Sequence, residues 1–345
     1  MEQNQKIRVG INGFGRIGRA FLRLSHNHPD IEVVAINDLG NLENLAYLLS
    51  YDTAYGKAPF TVTTREGVLV VDGKDISVVN EKDPSHIPWG QLGVTVVVES
   101  TGLFESYDKA HAHLTGGAKR VVISAPGKED TTGAVQGATV LMGINEDRIP
   151  TCAITSNASC TTNAASPLIQ ILHETVGIER AMLNTVHGYT ATQKLVDAPD
   201  AKDWRRGRAA AQNIVPSSTG AAISVTQAIP DLVGKFDGIA LRVPVLVGSI
   251  ADVTFIAKRD TTKEEVNTLL TTASEDPRWK GIFTVTNEQL VSSDILNTPY
   301  ASIADLSSTR VIGNLVKVLA WYDNESGYTR TLIDHVVKAG LLVAN

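Results

Sequence analysis

The chain has only two cysteines, Cys152 and Cys160, among 345 residues. Two thiols eight positions apart build no disulfide framework and no zinc-ligand pattern, so a reducing compartment is expected and no metal site. There is no excess of positive charge: 31 Lys and Arg stand against 37 Asp and Glu, for a net charge of −6. The basic residues are dispersed except at Trp204-Arg205-Arg206-Gly207-Arg208, which is too short to follow a phosphate backbone, so no nucleic-acid partner is expected. No apolar run approaches the ~20 residues needed to cross a bilayer. The amino terminus lacks the apolar core of a secretory leader, and a strand-like run begins within a few residues of Met1, so a cytoplasmic protein without a membrane partner is expected. Internal repeats, low-complexity tracts and long linkers are also missing. A hydrophobic content of 43% over this length is enough for two domains with their own cores.

Near the amino terminus, Lys6-Ile7-Arg8-Val9-Gly10-Ile11 reads as a buried strand, Gly13-Phe14-Gly15-Arg16-Ile17-Gly18 as a glycine turn, and the following residues as a helix. A dinucleotide pyrophosphate needs this order. The first glycine permits the turn, the second lets the backbone approach the phosphates, and the third lets helix and strand pack closely. A second strand, Glu32 to Asn37, ends at Asp38, twenty positions past Gly18, where a carboxylate accepts hydrogen bonds from the adenosine ribose. A 2′-phosphate there would meet like charge, and Leu39, Gly40 and Asn41 supply no cation, so NAD is expected over NADP.

Ser156-Asn157-Ala158-Ser159-Cys160-Thr161-Thr162-Asn163 follows an apolar run expected to be a strand (Cys152-Ala153-Ile154) and precedes the body of a helix. Cys160 is therefore expected at a helix N-terminus, where free N–H groups and the helix dipole favour a thiolate. Its expected base is His187, delivered by the strand-like run Ala181 to Val186. Further Val- and Ile-rich runs (68–71, 76–79, 94–99 and 120–124) alternate with helices in several places and predict a parallel sheet covered on both faces. In the second half, the segment 243–258 alternates with polar positions and predicts a sheet with one wet face. The last helix, 328–342, is expected to turn Leu332, Val336, Val337 and Leu341 inward.

These features, with Pro216-Ser217-Ser218-Thr219-Gly220-Ala221-Ala222 and Trp321-Tyr322-Asp323-Asn324-Glu325, closely resemble the phosphorylating, glycolytic glyceraldehyde-3-phosphate dehydrogenases over essentially the whole chain. The resemblance implies an α/β protein: an N-terminal Rossmann NAD-binding domain (1–159) on which a C-terminal helix (324–345) packs back, and an α+β catalytic domain (160–323) with a mostly antiparallel sheet. It implies that Cys160 forms a hemithioacetal with glyceraldehyde 3-phosphate and then a thioester opened by inorganic phosphate, with His187 as base. Thr190 and Arg242 match the substrate-phosphate position. Ser159, Thr161, Thr219 and Gly220 match the inorganic-phosphate position, and Arg206 matches an arginine serving the phosphates. For NAD it implies Gly13, Gly15, Arg16, Ile17 and Asp38, with Lys82 and Ser124 in the coenzyme groove and Asn324 on the nicotinamide carboxamide. Asp200 further disfavours a 2′-phosphate, and residues 195–208 correspond to a loop that packs between subunits, which implies a homotetramer. The chain departs from the family at Ser326, where a tryptophan is usual, and at Gly188 and Ala164. Two rivals remain: the erythrose-4-phosphate dehydrogenases, which use the same thiolate chemistry, and a dinucleotide-binding protein without turnover. Intact Ser218-Thr219-Gly220-Ala221 favours the three-carbon substrate over the first.

Overall fold

A computed structural model describes residues 6–129 and 133–343. The chain divides into two compact units, Met1–Ala158 with Thr331–Asn345, and Ser159–Arg330.

In the first unit, the strand Ile7–Asn12 lies between Ile31–Asn37 and Val96–Glu99 and runs parallel to both. Five of its six residues are buried, as a strand covered on both faces requires. The parallel run continues outward through Arg120–Ile123, Ile154–Ser156 and Gly137–Thr139. On the other side Lys74–Val79 joins in parallel, but Val68–Val71 and Val62–Arg65 then turn back antiparallel. The sheet expected to be parallel is therefore mixed at this edge. A parallel neighbour needs a crossover of a dozen or more residues, whereas only Asp72 and Gly73 link these strands. Both take positive φ, 45° and 77°, the geometry of a two-residue hairpin.

In the helix Ser326–Leu341, Leu332 and Val336 face inward, but Val337 is half-buried and Leu341 is 45% exposed, contrary to the sequence pattern. Ala339 and Gly340 take the inward face instead. A Cβ at Gly340 would lie 2.5 Å from Ile7 Cγ2, so glycine alone admits this close approach of helix to first strand.

The second unit is built on a sheet in the order Val215–Ser218, Phe236–Val243, Ile178–Gly188, Ser249–Ala257, Leu315–Tyr322, Ser302–Asp305, Phe283–Thr286. Most neighbours are antiparallel; Ile178–Gly188 with Phe236–Val243, and Phe283–Thr286 with Ser302–Asp305, are parallel. Ser249–Ala257 alternates between buried and half-buried positions, as a one-sided sheet requires. The segment 243–258 is not one strand, however: Pro244 to Gly248 break it, with Gly248 at φ 104°. The helix Cys160–Thr175 packs on the covered face, while Met182, Ile239 and Leu315 are exposed on the other. Among the described residues no helix is long and apolar enough to cross a membrane.

Candidate active site

Register in the second unit's sheet lines up four side chains. His187 pairs with Arg242 on one neighbouring strand and with Ser249 on the other, and Ser249 pairs with Tyr322. Residues directly opposite one another point to the same face. Over this row stands the first turn of the helix Cys160–Thr175. Ser159 caps it, its hydroxyl oxygen accepting from Thr162 N at 3.1 Å. Cys160 is thus the first helical residue, and its Sγ lies 3.4 Å from His187 Nε2. The preceding strand is Ile154–Ser156; Cys152, expected within it, instead follows a 3-10 turn (Glu146–Thr151) and is half-buried. Ahead of the cap, Ala158 holds φ 55°, a left-handed conformation that costs a non-glycine residue roughly 1–3 kcal/mol.

The surroundings act on the pair in opposing directions. Burial, the largest influence, pushes the Cys160 thiol up; the Arg242 charge and hydrogen bonds from Thr161 and the Cys160 amide pull it down, and the net direction is up. Desolvation therefore opposes the lowering expected at a helix start. Burial first, and then the Arg242 charge, lower the His187 imidazole to about 3, so it is neutral at pH 7. Transfer of the thiol proton to Nε2 leaves opposite charges 3.4 Å apart, and their attraction opposes both burial penalties. Tyr322, buried edge-on to the His187 ring, bonds through its hydroxyl to Thr161 Oγ1 at 2.9 Å and Thr185 Oγ1 at 2.7 Å.

The glycine turn of the first unit has the form a pyrophosphate needs. At Gly13 φ is 92°, and a Cβ would lie 2.7 Å from Thr101 N; at Gly18 it would lie 2.2 Å from Gly13 O. At Gly15 nothing lies within 4 Å of that position, and no side chain caps the helix Arg16–Ser25 that starts there. An uncapped helix start beside open space fits the dinucleotide's phosphates. Asp38 Oδ2 accepts from Phe14 N at 2.6 Å and Oδ1 from Gly40 N at 2.8 Å, so the carboxylate braces the turn. The Arg16 guanidinium is paired with Asp52, which leaves backbone N–H groups as the donors at the Arg16-Ile17 step.

Comparison with known proteins adds a family. Residues 7–107 match the model of the "glyceraldehyde 3-phosphate dehydrogenase, NAD binding domain" and residues 159–324 that of its C-terminal domain. The chain is 47% identical over 338 residues to glyceraldehyde-3-phosphate dehydrogenase of Streptomyces coelicolor, covering 97% of this chain and 98% of the relative. It is 46% identical over 331 residues to the protein of that name from Geobacillus stearothermophilus (95% and 96% covered). It is also 46% identical over 341 residues to glyceraldehyde-3-phosphate dehydrogenase 1 of Bacillus subtilis (97% and 99%). The chain belongs to the glyceraldehyde-3-phosphate dehydrogenase family.

In this member of the glyceraldehyde-3-phosphate dehydrogenase family, the expected phosphate donors fall into separate groups. Thr190 Oγ1 lies 3.0 Å from Thr192 Oγ1, which accepts from Arg206 Nη2 at 2.9 Å, so Thr192 joins Thr190 to Arg206. Arg242 lies instead against His187, its Nη1 2.6 Å from Nδ1. Ser159 is half-buried as the helix cap, and Thr161 is buried, its hydroxyl 2.9 Å from that of Tyr322. Thr219 Oγ1 accepts from Ala221 N at the start of the helix Ala221–Ala228, whose cap is Gly220; no hydrogen bond among the described residues joins them to Cys160 or His187. Asn324 Oδ1 accepts from Gly248 N at 2.9 Å and lies 3.3 Å from Ser249 Oγ, while its Nδ2 has no hydrogen-bond partner among the described residues. Lys82 is exposed and Ser124 half-buried, its N–H given to Glu99 O. Sequence reading missed the parts played by Tyr322, Thr185, Thr192 and Ser249. Tyr322 lay inside a motif, but its partners are fixed only by strand pairing.

Two of the three departures lie in tight surroundings. Gly188 cannot carry a side chain, since a Cβ there would lie 2.8 Å from Val245 O. Ser326 is buried at the start of the last helix, its N–H donated to Asp323 Oδ1 at 2.8 Å.

Proposed function

We propose that this chain oxidises glyceraldehyde 3-phosphate with NAD and phosphorylates it to 1,3-bisphosphoglycerate. The observation that carries the proposal is the Cys160 thiol at a helix start, 3.4 Å from a neutral imidazole that Arg242 flanks. NAD would supply the hydride acceptor; the uncapped turn at Gly13, Gly15 and Gly18 with Asp38 would hold it, with Lys82 and Ser124 assigned to the coenzyme and Asn324 to its carboxamide.

His187 Nε2 takes the thiol proton, and the sulfur attacks the aldehyde carbon. The new alkoxide lies at the helix start and is protonated from Nε2. As the hydride departs, Nε2 recovers that proton, leaving a thioester on Cys160. Phosphate oxygen then attacks the acyl carbon, the C–S bond breaks, and the acyl phosphate leaves. Guanidinium forks and hydroxyls suit the two dianions: Arg242 and Thr190 for the substrate's phosphate, Ser159, Thr161, Thr219 and Gly220 for the attacking ion, and Arg206 serving the phosphates. We assign the enzyme to the cytoplasm and to a homotetramer, its interfaces covering apolar side chains such as Leu195 and Trp204, exposed by 80% and 87%, and the open sheet face with Met182 and Ile239.

The test is NADH formation from glyceraldehyde 3-phosphate with and without inorganic phosphate. Fast, phosphate-dependent turnover is expected. Phosphate-independent turnover would mean that water opens the thioester, and faster turnover of erythrose 4-phosphate would move the substrate to the four-carbon sugar.

A further inference from the structure

A chain of buried polar side chains adjoins the glycine turn, with a carboxylate at its centre. Glu99 ends the strand Val96–Glu99 and is 2% exposed, and its only ion-pair neighbour among the described residues is His113. Donors hold the carboxylate: Thr101 N at 2.8 Å and Thr101 Oγ1 at 2.5 Å on Oε1, Asn12 Nδ2 at 2.6 Å and His113 Nε2 at 3.0 Å on Oε2. The His113 proton is on Nε2, because the Trp89 indole N–H, which can only donate, occupies Nδ1 at 3.0 Å. Beyond Asn12 the chain has a fixed direction. Asn37 Nδ2 donates to Asn12 Oδ1 at 2.7 Å and to Glu81 O at 2.9 Å, while Asn37 Oδ1 accepts from Glu81 N at 2.8 Å. A main-chain N–H and C=O cannot exchange roles, so they fix which end of the Asn37 amide is oxygen, and Asn37 in turn fixes Asn12. Both ends dictate one orientation of Asn12, with its oxygen toward Asn37 and its Nδ2 toward Glu99.

We infer that Glu99 is a positioning residue for the coenzyme, holding the glycine turn in its binding form through Thr101 and Asn12. The inference rests on the reading of that turn as the NAD site. The grip on Thr101 sets the wall on which the turn folds: a Cβ on Gly13 would lie 2.7 Å from Thr101 N, and Ser100 Oγ, one residue earlier, donates to Gly13 O at 2.7 Å. The grip on Asn12 fixes the residue ahead of Gly13, and through Asn37 the chain reaches Glu81, next to Lys82. Gly13 and Lys82, both assigned to the coenzyme, are thereby tied to one buried group. Only an acceptor without N–H groups of its own serves all these donors. An amide at position 99 would aim its N–H groups either at Thr101, whose main-chain N–H can offer no acceptor, or at Asn12 and His113. Neither of those can turn, since Asn37 holds the first and Trp89 the second.

The experiment is calorimetric titration of the full chain with NAD and with ADP-ribose, which shares the pyrophosphate but has no nicotinamide. Glu99→Gln should raise both dissociation constants about tenfold, the scale of one mispaired buried hydrogen bond. It should raise KM for NAD by a similar factor, while kcat and KM for glyceraldehyde 3-phosphate change by less than about twofold. Adding Asn12→Asp moves the carboxylate one link along the chain: one of its oxygens accepts from the amide at position 99, the other still accepts from Asn37, and Thr101 keeps an oxygen to donate to. This double variant should bring both dissociation constants back to within about threefold of the parent, and it carries the test if Glu99→Gln alone does not fold. Unchanged dissociation constants in folded Glu99→Gln, a fall in kcat with KM for NAD unchanged, or no recovery in the double variant overturns the inference. A parent chain that binds neither NAD nor ADP-ribose would instead overturn the reading of the turn as the coenzyme site.

Discussion

Lowering the pH from 7 to 5 should destabilise the first unit through one side chain, His335. This residue is fully buried in the last helix, its Nε2 2.8 Å from Thr155 Oγ1 and its Nδ1 3.2 Å from Asn157 Oδ1. A neutral ring fits both, donating from Nδ1 to the amide oxygen and accepting the hydroxyl at Nε2; a cation would turn two donors on them. Burial first, and then the charges of Arg120 and Lys338, lower its pKa from 6.5 to about 3. A base whose folded pKa is lowered leaves the unfolded chain binding more protons between the two values. The stability it confers is therefore complete above 6.5, falls as pH drops through 6.5 toward 3, and is lost no further below 3. At pH 5 the folded ring is still neutral while the unfolded one is charged, so the loss relative to pH 7 is about 2 kcal/mol. That figure requires only a folded pKa well below 5. Urea unfolding at pH 7, 6 and 5 should show it, and His335→Gln, though less stable at pH 7, should lose about 2 kcal/mol less than the parent over the same range. An identical pH dependence in both proteins, or greater stability at pH 5, would refute the reasoning.

Three substitutions test the sites. Cys160→Ala should lower kcat by about 10⁴-fold or more while NAD binding by fluorescence titration stays within about twofold. Tyr322→Phe removes the shared partner of two threonine hydroxyls; it should cost roughly 1–3 kcal/mol in urea unfolding and, because Thr161 follows Cys160, lower kcat more than it changes KM. Gly15→Ala places a methyl in open space and should leave stability within about 0.5 kcal/mol but weaken NAD binding about tenfold or more, whereas Gly18→Ala, 2.2 Å from Gly13 O, should destabilise the fold itself. Equal effects of the two glycine changes on calorimetric stability would show that the turn is not built as described.

Much of this protein was legible from local sequence, because the relevant signals are local. The glycine turn is a strand, three glycines and a helix read in order, and Asp38 follows at a fixed spacing. Cys160 at a helix start was visible because its cap, Ser159, and the helix body are contiguous with it. The alternation in Ser249–Ala257 announced a one-sided sheet. Local reading failed where an outcome depends on partners distant in the chain. The Arg16 guanidinium pairs with Asp52 and the Thr161 hydroxyl with Tyr322, partners that no local pattern names. Leu341 fits an apolar stripe, yet the small pair Ala339 and Gly340 sets how the last helix seats. Tertiary structure alone decided the direction in which the thiol is shifted, since desolvation depends on everything packed around it. It also decided that Arg242, fifty-five positions past His187, is its neighbour across a parallel pair of strands. Pairing register is set by whole-sheet packing, and no local pattern in either strand encodes which residue of the other it will face.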